Sequence, residues 1–125
     1  MTNILLLPQI SGSLAIATDA DFRASIAFVA ATGGAAIDLT GITFTSKIKQ
    51  PGNLATTCLA LSTAGGGGLV NGGVSGILSW LVLQPALIVL APGSYVCDII
   101  ATADGATINL CQAAPLAVTV TQGIT

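Results

Sequence analysis

The stretch Ile42-Thr43-Phe44-Thr45-Ser46-Lys47-Ile48-Lys49 alternates without a break. Ile42, Phe44, Ser46 and Ile48 share one parity, and Thr43, Thr45, Lys47 and Lys49 share the other. Side chains of a strand point to opposite faces in turn, so this is a β-strand with one face inward and one in water. The same period runs outward in both directions. From Phe22, one parity reads Phe22, Ala24, Ile26, Phe28, Ala30 and the other reads Arg23, Ser25, Ala27, Val29. Thr56–Ser62, Tyr95–Thr102, Thr107–Gln112 and Leu116–Thr121 read as further strands, and Gly12–Thr18 adds an edge strand. Ile77–Leu83 is apolar on both parities, as for a strand covered on both sides, either central in its sheet or at an interface.

Turn signals separate these runs. They are Gly33-Gly34, Pro51-Gly52-Asn53, Gly65–Gly68, Asn71-Gly72-Gly73, Pro92-Gly93 and Asp104-Gly105. Asp104-Gly105 between two β-runs is the strongest hairpin signal. Gln84–Leu90 lacks alternation and reads as a crossing between sheets with a helical turn. No stretch sustains a helical period. Turns spaced by about ten residues predict an antiparallel sandwich of about seven to eight strands. At 125 residues the chain makes one domain, with residues 1–20 as an N-terminal arm or edge strand and 21–125 as the sandwich.

Charge is scarce. The chain has three basic and five acidic residues and no histidine, so 6% of it is charged where about a quarter is usual. It is 53% hydrophobic. Such a surface repels its own copies weakly, which predicts a homo-oligomer or a part packed among partners. Three basic groups cannot neutralise a phosphate track, so nucleic acid is not an expected partner. Nor is a membrane. The most apolar run, Ile77–Ala91, has 15 residues with Gln84-Pro85 in its middle, whereas a spanning helix needs roughly 20. The patch Ile4–Leu7 has no basic residue before it and does not read as a secretory signal.

The chain offers little catalytic chemistry. Without histidine no Ser or Cys has its usual base, and no CxxC exists to begin a zinc site, so no catalytic residue, cofactor or metal is expected. Cys58, Cys97 and Cys111 read as reduced, mainly buried thiols. The glycines of 65–73 lack the Lys and following helix of a phosphate loop. Asp19 and Asp21 form a carboxylate pair without a third ligand and read as a solvated turn. Lys47 and Lys49 read as solubility or edge-protecting charges. Trp80 reads as a core residue or, with Ile77, Leu81 and Leu83, as an interface anchor.

Ala91-Pro92-Gly93-Ser94-Tyr95-Val96-Cys97-Asp98 carries a further signal. A Tyr two residues before a Cys, after a Pro-Gly corner, resembles the tyrosine corner of immunoglobulin-type sandwiches. The resemblance implies an immunoglobulin-like topology with Pro92, Gly93, Tyr95 and Cys97 as its structural corner and the Tyr95 hydroxyl tied to nearby backbone. Immunoglobulin domains pair that Cys with one on an earlier strand, with a Trp between. Here Cys58 is the only earlier cysteine, so no such disulfide is expected.

Five stretches carry a second resemblance: Asp21-Phe22-Arg23, Ile37-Asp38-Leu39-Thr40-Gly41 before Ile42–Lys49, Leu59–Thr63 before a glycine loop, Pro92–Asp98, and Val118–Thr125. From about Ala20 to Thr125 the chain resembles small virion-associated proteins of tailed bacteriophages. These are similar to the N-terminal sandwich of upper-baseplate and receptor-binding tail proteins. The resemblance implies a non-enzymatic virion structural protein located in the virion, with other phage virion proteins as partners. Its implied role is a tail or baseplate component that attaches a fibre or spike through packed apolar surfaces. The alternative is a capsid decoration protein that stabilises the head.

Overall fold

The computed structural model describes residues 7–30, 33–64, 67–103, 105–112 and 114–122. Ile4–Leu6, Gly65, Gly66, Asp104, Ile124 and Thr125, all used in the sequence reading, lie outside the described residues. In chain order the elements are β1 (Ser13–Ala17), β2 (Phe22–Ala27), β3 (Thr43–Lys49), β4 (Leu59–Ser62), β5 (Leu69–Asn71), β6 (Ile77–Val82), α1 (Gln84–Leu87), β7 (Gly93–Ala103), β8 (Ala106–Asn109) and β9 (Leu116–Thr121). The fold is mostly β, with two sheets arranged like a sandwich.

The larger sheet has the order β1-β9-β7-β3-β4, with β8 also pairing with β7. The smaller has the order β2-β6-β5. β7 spans the larger sheet. One edge pairs with β3 along Val96–Thr102, and the other is shared by β9 at its start and β8 at its end. β8 and β9 thus act as one interrupted strand. Cys97 faces Leu116 and Ile100 faces Asn109, so three steps along β7 are matched by seven on the partner. Of the described residues between them, Leu110 and Cys111 turn into the core, and Gln9 ties the segment down. Its amide donates to the Asn109 carbonyl at 3.1 Å, and its side-chain oxygen accepts from the Gln112 N–H at 3.0 Å.

The core follows from the alternation. In β3, Phe44, Ser46 and Ile48 are buried and Thr43 and Lys47 are exposed. In β7, Tyr95, Cys97, Ile99 and Ala101 point inward. The smaller sheet supplies Phe22, Leu69, Leu78, Trp80 and Val82. Phe28, just past β2, stacks on Phe44 of the opposite sheet with ring centroids 6.0 Å apart. Such an offset ring pair adds to the area buried between the layers. Asn71, at the end of β5, stitches that strand to the entry of β3. Its amide donates to the Leu39 and Ile42 carbonyls at 2.9 and 2.8 Å, and its oxygen accepts from the Gly73 N–H at 2.8 Å.

Several expectations need correction. The sandwich is not wholly antiparallel: β1 runs parallel to β9 from Ser13 opposite Ala117 to Ala17 opposite Thr121. A parallel neighbour requires a long connection between the strands, and here almost the whole chain separates them. The described strands number nine rather than seven to eight. The added one is β5, three residues inside a stretch read as a glycine loop. Residues 56–58 precede β4 instead of belonging to it. Lys47 and Lys49 protect no edge, because β3 lies between β7 and β4.

Candidate interaction surface

β6 is the middle strand of the smaller sheet, and its two faces have different fates. Leu78, Trp80 and Val82 turn inward. Trp80 is 2% exposed and lies between Ala24 of β2 and Leu69 of β5 on the inner face. A small residue beside the indole leaves room for it. Trp80 is therefore a core residue, not a surface anchor, which corrects its place among the candidate interface residues. The other three are on the surface: Ile77 is 38% exposed, Leu81 41% and Leu83 58%. β6 is central in its sheet, yet its outer face is uncovered in the single chain.

The outer face of this sheet is apolar and hydroxyl-bearing. Leu81 faces Arg23 across the β2–β6 ladder, Ser79 faces Ser25, and Ile77 faces Ala27. On the other side Val70 of β5, half exposed, lies opposite Ser79. Arg23 is the one charged residue on these three strands. The larger sheet is different. Its outer face presents Thr43, Thr45, Lys47, Ser94, Asp98 and Thr102 beside Val96 and Ile100, with Lys47 directly opposite Asp98. A cavity of about 330 Å³ opens there, lined by Lys47, Lys49, Leu54, Val96, Asp98 and Pro115 among others.

Leu83 leads into α1, where Pro85 occupies an early position that needs no N–H donor. The turn is anchored by Asp21, whose carboxylate accepts the Gln84 N–H at 2.7 Å, while the Gln84 amide donates to the Thr18 carbonyl at 3.1 Å. Asp21 therefore holds a backbone turn in place. Leu87 and Leu90 are buried beneath it, and Ile88 and Val89 stay exposed.

The corner at the start of β7 is built around Tyr95. Its ring is buried, and its hydroxyl donates to the Ala91 carbonyl at 2.7 Å, reaching back over Pro92 and Gly93. Cys97 shares that inner face two residues on. It forms no disulfide, and neither do Cys58 and Cys111. Burial pushes the Cys97 thiol up to about 11 and raises Cys111 in the same direction, so both are held protonated. The Ser46 hydroxyl lies beside Cys97 and opposes that shift. Its oxygen is nonetheless so placed that no hydrogen bond is made, and it is buried. Near the entry to β3, Asp38 accepts the Thr40 N–H at 2.9 Å, and its hydrogen bonds to Thr40 hold its carboxyl below the usual range.

Among the described residues no three of His, Cys, Asp and Glu come together as a metal site would require. Asp19 and Asp21 remain a turn pair without a third ligand among those residues. Also among them, no helix is long and apolar enough to cross a membrane. No protein-family model matches the chain, and no curated protein is similar to it.

Proposed function

We propose that the chain is an immunoglobulin-like, non-enzymatic structural protein of a tailed-bacteriophage virion, working as a tail or baseplate element that binds its neighbours through packed apolar surface. The observation that carries this reading is the outer face of the smaller sheet. Val70, Ile77 and Leu81 stand uncovered on a regular β-surface with one charge, and Leu83, Ile88 and Val89 extend the apolar character beyond the strands. An interface made of such side chains has few charges to desolvate.

The strand order supports the immunoglobulin-like part. A β2-β6-β5 sheet facing a sheet in which β9, β7 and β3 are neighbours matches the B-E-D and G-F-C arrangement of that architecture. Tyr95 then falls at the start of the F-equivalent strand, where a corner tyrosine belongs. The chemistry supports a structural role. The chain has no histidine to serve as a base, and burial holds the Cys97 and Cys111 thiols protonated, which does not favour either as a nucleophile.

Counting copies of the chain in purified virions by quantitative mass spectrometry tests the proposal. Six to a few dozen copies per particle is the result expected of a tail component. Hundreds would move the chain to capsid decoration, and its absence from purified particles would overturn the virion reading.

A further inference from the structure

Lys47 and Lys49 stand two residues apart on β3, so both belong to the outer face of the larger sheet, with Cα atoms roughly 7 Å apart. They are two of the chain's three basic residues. Both line one open cavity of about 330 Å³, and Asp98 of β7 lines it with them. Lys47 lies directly across the ladder from Asp98, yet the Asp98 carboxylate accepts its hydrogen bond from the Asn109 amide, at 3.2 Å. Among the described residues neither ammonium group has a hydrogen bond or an ion pair. Two cations are thus gathered at a concave place where the fold gives them nothing to bind.

The rest of the lining is apolar. Pro51 and Leu54 come from the β3–β4 connection and Pro115 from the approach to β9, while Val96 belongs to β7, the strand between. These walls are held in place. Pro51 and Pro115 have a fixed φ. The Asn53 N–H donates to the Gln50 carbonyl at 3.0 Å and the Cys58 N–H to the Ile48 carbonyl at 2.8 Å, so the connection carrying Leu54 is tied at both ends. Leu116, next to Pro115, is paired with Cys97 in the β7–β9 ladder. The flanking partners in the sheet are small and exposed, Ala60 opposite Lys47 and Ala117 opposite Val96, so neither fills the space. Leu54 is 58% exposed, an aliphatic side chain left to water at the mouth of the cavity.

We infer that this cavity binds a small amphipathic acid, a monocarboxylate on an aliphatic body, with the carboxylate at Lys47 and Lys49 and the hydrocarbon against Leu54, Val96 and the two prolines. The formal charges at the cavity are two positive and one negative, so a monoanion neutralises it, whereas a phosphate dianion overshoots beside Asp98. The volume stands at the small end of ligand pockets, which run from about 300 to 1,000 Å³, and mostly apolar lining with a few placed polar groups is their usual make-up. The site lies on the sheet opposite the surface proposed to meet neighbours, and it stands whether or not the particle is a virion.

Titration of the full chain with octanoate, followed through the backbone amide resonances, tests it. Octanoate shifts the amides of Lys49, Leu54, Val96 and Asp98 with half-saturation at about 1–10 mM and leaves those of Val70 and Leu81 in place. Acetate, which has the charge without the body, and 1-octanol, which has the body without the charge, each bind at least about tenfold more weakly. Lys47→Gln and Lys49→Gln together weaken octanoate binding by about tenfold, and Leu54→Ser by about fivefold. Asp98→Asn removes a like charge and tightens it by about threefold. Far-ultraviolet spectra of these variants stay those of the parent. Absence of a saturable shift at these residues overturns the inference. So does 1-octanol binding as tightly as octanoate, or an affinity unchanged in the double lysine variant, since either leaves an apolar crevice with no preference for acids. Inorganic phosphate binding more tightly than octanoate overturns the monocarboxylate as the ligand.

Discussion

The Tyr95 hydroxyl donates a hydrogen bond to the carbonyl oxygen of Ala91 at 2.7 Å, so that one side chain closes the corner through which the chain enters its longest strand. The ring is in the core, and the carbonyl it satisfies belongs to the crossing from the smaller sheet to the larger. Tyr95→Phe leaves that acceptor without its partner and costs on the order of 1 kcal/mol, more if water cannot reach it. Tyr95→Ala also opens a cavity and costs several kcal/mol. Denaturant melts of the two variants measure both effects. Parent-like midpoints for both would remove the corner role.

Ser46 has the opposite problem. Its hydroxyl is buried on the inner face of β3 with no hydrogen bond. A buried polar group left unpaired costs about 1–3 kcal/mol, so removing it repays the small loss of packing. Ser46→Ala is expected to match the parent or exceed its stability by up to about 1 kcal/mol. A chemical melt that shows a clear loss would mean that the hydroxyl has a partner in solution.

The thiols give a prediction in pH. Cys97 is raised from 9.0 to about 11 by burial, and Cys111 is raised for the same reason. A group whose folded value lies above its unfolded one favours folding fully below the unfolded value. That contribution is lost as pH climbs through the folded value. Stability therefore holds up to about pH 9 and declines from there toward 11. Alkylation of the native protein at pH 8 modifies Cys58 first, because it is half-buried, and reaches Cys97 and Cys111 on unfolding. Equal labelling of all three in the native state would contradict the burial.

Adjacent residues of β6 separate stability from association. Trp80→Ala empties the inner face and costs about 3–5 kcal/mol. Leu81→Ser, one residue along on the outer face, changes stability by no more than about 0.5 kcal/mol. It is expected to raise solubility and weaken self-association. Thermal melts and light scattering of both variants check the contrast. A large loss of stability in Leu81→Ser would show that this face is covered within the single chain.

Much of this was legible in the residues. The alternation in Ile42–Lys49 and Phe22–Ala30 marks strands with the correct faces inward, because in each only one parity is apolar enough to form a core. Ile77–Leu83 withholds that information. Both parities are apolar, so nothing in the run says that Trp80 packs inside while Leu81 meets water. β5 was hidden because three residues flanked by glycine give no period to count. The parallel pairing of β1 with β9 was hidden for a different reason. It depends on where the two ends of the chain meet, and nothing local encodes that. The role of Asn71, whose amide joins Leu39 and Ile42 across more than 28 residues, was likewise invisible. Its neighbours Gly72 and Gly73 made it look like a plain turn residue.

The proposed role depends on the apolar outer face of the smaller sheet being covered by other copies or partners. Sedimentation velocity of the isolated full chain, over micromolar to near-millimolar concentration, puts that dependence to the test. Association that grows with concentration and persists at high salt is the predicted result, since apolar contacts are not screened by ions. A soluble monomer across the whole range would contradict it.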